Sequence, residues 1–140
     1  MPRRTPGALV DTNVLLRFLL GDDPSQTPKA AALFKRASEG KEILAIEDGV
    51  LAETIWVLEK HVKVPRIEIA RQLALVMGLS GVHGTGGRRV LLEALATYGA
   101  TVCDFVDCLL AARSKARTQK VYTFDVTDFQ RLDCAWEQPA

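Results

Sequence analysis

Five acidic side chains, Asp11, Glu53, Asp104, Asp107 and Asp125, are the residues of this chain whose type and placement suit chemistry. Carboxylates are hard oxygen donors of the kind that hold magnesium, and cleavage of a phosphodiester needs such a cation to activate water and offset charge on the phosphate. Several acids gathered in one pocket without a cation would repel one another strongly. Convergence of these five would therefore itself point to bound metal, and the elements that carry them decide whether they converge.

Ala8-Leu9-Val10 reads as a short apolar strand delivering Asp11-Thr12-Asn13, after which Val14 to Leu20 reads as a helical segment stopped by Gly21. From Asp48 to His61 the apolar positions follow helical spacing, with Glu53 amid Leu51, Ala52, Ile55 and Trp56, a setting in which an acid needs a partner. Asp104 and Asp107 stand three residues apart at the start of a helix expected from Val102 to about Thr118, so they share a face. Lys120 to Phe124 reads as a strand ending at Asp125. Taken singly, each acid fits a plainer role equally well: Asp11 and Asp125 as turn or cap residues, Asp104 as a helix-start acid, Glu53 as an exposed helix charge.

The remaining elements complete an alternating order. Asp22-Asp23-Pro24 opens an amphipathic helix ending near Gly40, Ile43 to Ile46 forms a second strand, and Pro65 opens a helix through Met77. Gly78 to Gly87, with five glycines, reads as a loop that could form a flexible rim, and Arg88 to Tyr98 as a further helix. Strands alternating with helices predict an α/β fold whose mostly parallel sheet is covered by helices, with sites outside the carboxyl ends of the strands. Asp11 and Asp125 fall at such ends.

Composition narrows the classes. The chain has 140 residues, enough for one domain with its own core, and residues 1–7 read as a flexible N-terminal tail. No apolar run approaches the roughly 20 residues that cross a bilayer, and the basic N-terminus runs into Asp11 rather than a signal core, so a cytoplasmic protein without membrane contact is expected. Cys103, Cys108 and Cys134 form no C-x-x-C pair and read as reduced thiols. A net charge of +1 excludes a generally basic nucleic-acid coat, leaving local patches or bound cations to attract RNA. Arg17, Arg88, Arg89, Arg113, Lys115 and Arg117 are either contacts to phosphate or to an acidic partner segment, or, as for most surface cations, solvated charges. Trp56 reads as a groove or dimer-surface residue in preference to a base-stacking one, and His61 and His83 lack metal-ligand spacing.

In order along the chain, Val10-Asp11-Thr12-Asn13-Val14-Leu15-Leu16-Arg17, Leu51-Ala52-Glu53, Asp104-Phe105-Val106-Asp107-Cys108-Leu109-Leu110-Ala111-Ala112 and Tyr122-Thr123-Phe124-Asp125 resemble the motifs of PIN-domain proteins, in particular the VapC toxins. The resemblance covers nearly the whole chain. It implies a three-layer α/β/α domain over residues 1–140 and an endoribonuclease in which Asp11, Glu53, Asp107 and Asp125, with Asp104 beside them, hold magnesium or manganese that activates water. It also implies that Thr12, Asn13 and Thr123 support the site by hydrogen bonds, that a VapB-like antitoxin is a partner, and that the protein forms a homodimer. Phe124, where relatives often carry arginine, and the glycine-rich stretch from Gly84 to Gly87 depart from the pattern. Two other classes remain: a PIN-like module that binds RNA or protein without cutting, which would ordinarily lack some acids, and an aspartate phosphotransfer domain, which would need a second aspartate in place of Asn13 and a lysine after a strand.

Overall fold

The computed structural model describes residues 7–140. Its elements run β1 (Ala8–Leu9), α1 (Thr12–Leu20), α2 (Gln26–Ser38), β2 (Leu44–Ile46), α3 (Asp48–Trp56), a π-helical turn (Val57–His61), α4 (Arg66–Met77), β3 (Val82–Gly84), α5 (Arg88–Ala100), α6 (Phe105–Arg117), β4 (Val121–Tyr122), α7 (Val126–Arg131) and β5 (Trp136–Glu137). β2 lies between β1 and β3, parallel to both, with Leu44 opposite Ala8 and Val82. β4 and β5 form a separate parallel pair, Val121 opposite Trp136. Parallel neighbours require crossovers, and helices supply them, giving the helix-covered parallel sheet that the alternation predicts and the α/β/α layering that the resemblance implies.

Local chemistry sets the helix ends that matter for the site. The Asp11 carboxylate accepts a hydrogen bond from the Thr12 N–H at 2.8 Å and caps α1, and Gly21, at φ 62°, ends it in the left-handed conformation that glycine adopts without strain. The Asp23 carboxylate accepts from the Ser25 and Gln26 N–H groups at 2.9 and 2.6 Å, an anchor that holds its pKa below the usual value. Arg66, at the start of α4, donates to the carbonyls of Tyr98, Thr101 and Cys103, pairs with Glu59 at 2.9 Å, and lies over the Tyr98 ring. One guanidinium thus satisfies the carbonyls left bare where α5 ends and fixes the turn that leads to Asp104.

The core is one cluster in which Leu44, Ile46 and Val82 of the sheet meet Leu15, Phe34, Leu51, Leu73, Leu91, Leu95 and Leu109 of the helices. Cys103 and Cys108 are buried within it as free thiols and Cys134 lies at its edge, so the expectation of reduced cysteines holds for the described residues. Burial pushes the Cys108 thiol up to about 11.

Two expectations are corrected. The glycine-rich stretch contains β3, because glycine is what fits there: a Cβ on Gly81 would stand 2.1 Å from the Glu42 carbonyl oxygen, and one on Gly84 2.1 Å from Leu91 Cδ1. The strand expected over Lys120 to Phe124 is only two residues long and pairs with β5. The expected tail at residues 1–7 falls outside the described residues except for Gly7, which packs against Ile43. No helix among the described residues is long and apolar enough to cross a membrane.

Gly81 also donates its N–H to the Ala37 carbonyl and accepts from the Leu44 N–H, so it has no room to shift. Gly81→Ala is expected to destabilise the fold by about 1–3 kcal/mol, read as a lowered urea midpoint at unchanged slope.

Candidate metal centre

The acids arrive at the site on four different elements. Asp107 sits in the first turn of α6, one turn beyond Asp104, which occupies the N-cap position without a side-chain capping bond. Asp125 caps the short helix α7, accepting from the Asp128 N–H at 3.1 Å, and its own N–H donates to the Thr123 hydroxyl at 2.9 Å. Carboxylate oxygens of Asp107, Asp125 and Asp128 lie within 4.8 Å of one another.

Burial raises the Asp107 pKa, and the negative charges of Asp104, Asp125 and Asp128 raise it further. An acid with a raised folded pKa favours folding less as pH climbs through that value, because its ionised form is disfavoured in the native state. Three hard carboxylate oxygens thus converge where neighbouring negative charge disfavours ionisation of Asp107. Such a donor set could hold a divalent cation.

Asp11 and Glu53 lie outside this tight trio and are linked to each other through Thr12. The buried Thr12 hydroxyl donates to Glu53 Oε2 at 3.0 Å while its N–H is held by Asp11. Glu53 is exposed, contrary to the apolar surroundings expected for it. The helix turns Leu51, Thr54, Ile55 and Leu58 inward and leaves Glu53 facing out, with Thr12 as its hydrogen-bond partner.

Of the three residues expected to support the acids, Thr12 orients a carboxylate directly. Thr123 acts on the backbone of Asp125, and Asn13 is exposed, with no side-chain hydrogen bond among the described residues. Asp128 escaped the sequence reading. Its signal was the spacing of three from Asp125, which puts both acids at the start of one helix.

Several cations that the sequence left open as phosphate or partner contacts or as solvated charges are engaged within the chain. Arg113 forms a two-pronged pair with Asp48 and donates to the Thr85 carbonyl at 2.8 Å, tying α6 to the start of α3 and to the glycine-rich segment. Arg88 donates to the carbonyls of Met77, Leu79 and Val82, Arg17 pairs with Asp22, and Lys115 pairs with Glu93.

A family model for the PIN domain matches residues 8–133, which span every acid described above. The chain belongs to the PIN-domain family. PIN domains are commonly nucleases and typically use divalent metal, and the aspartate trio of this one could bind such an ion. A search of curated proteins finds no match to this PIN domain.

If Asp107 is held ionised against its neighbours, Asp107→Asn should raise the melting temperature in chelator, where the repulsion is uncompensated. Manganese should then stabilise the parent protein and leave the variant unmoved. A lower melting temperature for the variant in chelator would show that the carboxylate is not under electrostatic stress.

Proposed function

We propose that this PIN domain is a metal-dependent endoribonuclease, the toxin of a VapBC-like toxin–antitoxin pair. The single observation that carries the reading is the convergence of Asp107, Asp125 and Asp128 on a family scaffold that commonly serves nucleases. Asp11, Glu53, Asp104, Asp107 and Asp125 hold magnesium or manganese in this reading, and Asp128 joins them because its carboxylate lies in the trio. A bound divalent ion supplies charge neutralisation at the phosphate and lowers the pKa of water.

The chain's own groups do the rest. Asp11 is oriented by its cap on α1, and Glu53 by the Thr12 hydroxyl, so that two carboxylates keep fixed directions without a rigid apolar wall. Asp107, partly withdrawn from solvent at the start of α6 and facing the charges of Asp104, Asp125 and Asp128, carries negative charge that a cation would relieve. No side chain needs to form a covalent intermediate, since water is the nucleophile. The resemblance to VapC toxins supports a VapB-like antitoxin as partner and a homodimer as the working assembly. A non-cutting module would have little use for three converging aspartates, which favours the enzyme.

Purified protein incubated with total RNA and magnesium should cut at discrete positions, and Asp11→Asn, Asp107→Asn and chelator should each abolish the cuts, chelator reversibly. Full activity in either variant would reject the assignment. Thr12→Val, which frees Glu53 without removing a carboxylate, should weaken metal binding or activity about ten- to a hundredfold. Light scattering at twice the chain mass would support the homodimer, and a monomeric mass would reject it.

A further inference from the structure

Beside the carboxylates, between α3 with its π turn and the start of α6, opens a cavity of about 490 Å3, within the range of pockets that take small organic groups. Asp104 and Asp107 line it together with Ala52, Ile55, Trp56, Glu59, Lys60, Tyr98, Phe105 and Val106. We propose that this cavity is a base-binding subsite, which takes the nucleobase next to the scissile phosphate, stacks it on Trp56 and reads its edge with Glu59 and Lys60. The proposal rests on the nuclease reading above and adds the part of the substrate that reading leaves undefined.

Continuity is the first argument: two of the acids line the cavity, so a strand whose phosphate lies at the carboxylates has its neighbouring base at the cavity. The second is the state of Trp56, whose side chain is 54% exposed although it stands among apolar neighbours. His61 packs against the indole in a T-shaped contact at 4.6 Å, holding the ring in place without covering it. Splayed-out RNA bases are commonly stacked on such aromatic side chains.

The backbone supplies the third argument. After Trp56 the helix widens into a π turn, the Val62 N–H donating to the Val57 carbonyl five residues back at 3.0 Å. Such turns are rare and are frequently found at functional sites, and this one carries Glu59 and Lys60 beside Trp56. One Glu59 oxygen is taken by Arg66 at 2.9 Å, which leaves Oε2 as an acceptor, 4.0 Å from Lys60 Nζ. An acceptor beside a cationic donor matches a base edge that pairs an exocyclic amine with a carbonyl, as guanine and cytosine do. Uracil lacks the amine and adenine lacks the carbonyl. Four charged residues in the cavity, Glu59, Lys60, Asp104 and Asp107, also argue against a buried subunit contact, whose core is depleted in charge.

The test uses single-stranded RNA hexamers that differ only in the base beside the cut. The parent protein should cleave the guanine or cytosine members best, and Trp56→Ala should lose about tenfold or more in kcat/KM on them while Trp56→Phe retains most of it and both keep the parent's circular dichroism. A binding readout separates this proposal from the nuclease reading. In an Asp125→Asn, Trp136→Phe background, where Trp56 is the only tryptophan, the hexamers should quench its fluorescence saturably and in the same order of bases. Base-dependent quenching without any cleavage by the parent would sink the nuclease reading and leave the subsite standing. Cleavage with an unchanged base order and rate in Trp56→Ala would overturn the subsite alone. So would conversion of a dimer to a monomer by Trp56→Ala with base order intact, because the indole would then belong to a subunit contact.

Discussion

Carboxylates held within 4.8 Å of one another repel, and the elements that carry them in this PIN domain must be held against that repulsion. Apart from the cap that Asp125 makes on α7, the trio's mutual approach is unfavourable in the absence of a cation. It persists because the chain segments that carry it are fixed by interactions elsewhere: α6 by a buried apolar face that includes Phe105, Cys108, Leu109 and Ala112, and α7 by Phe129 and Leu132. Burial of side chains of this kind is worth about 1.5–3 kcal/mol each, enough to hold a few repelling charges partly exposed to solvent. Stability is thereby exchanged for a site that a cation relieves.

Two arginines translate that core into position. Arg66 gathers the carbonyls of the turn before Asp104, and Arg113 joins α6 to Asp48 at the head of α3. Both use the planar, many-donor guanidinium where a lysine would satisfy only part of the geometry. The sequence left the second open as a contact to phosphate or to an acidic partner segment or as a solvated charge, whereas only 16% of its side chain reaches solvent and it pairs with Asp48. Spacing alone does not say whether a charged residue points into the protein.

The helices were legible because their apolar faces recur at helical spacing, and the strands β1 and β2 because short apolar runs stop at an acid or a glycine. β3 was hidden by its glycines. Gly81 and Gly84 look like looseness in a sequence, yet each marks a place where backbone or side chain comes too close for a Cβ. α7 and β5, six and two residues long, carry too little pattern to register, and with α7 went Asp128. Asp107 and Asp125 could be named in advance from the motifs that resemble those of PIN domains, since a helix start and a strand end fit a plain cap or turn equally well. The environment of Glu53 could not, because a helix in which four of eight successive residues are buried leaves its rotation ambiguous until the partners are known.

The order of the acids along the chain has a consequence for biosynthesis. The parallel sheet β1-β2-β3 and most of the helices packed around it are complete by Arg117, whereas Asp125 and Asp128 lie beyond that point on a short helix between the strands of a separate pair. Chains emerge and fold from the N-terminal side, so the body of the protein can assemble while its carboxylate trio still has a single member. A chain whose folded body extends only to Arg117 therefore holds one carboxylate of the trio, and the full donor set is assembled only once α7 docks.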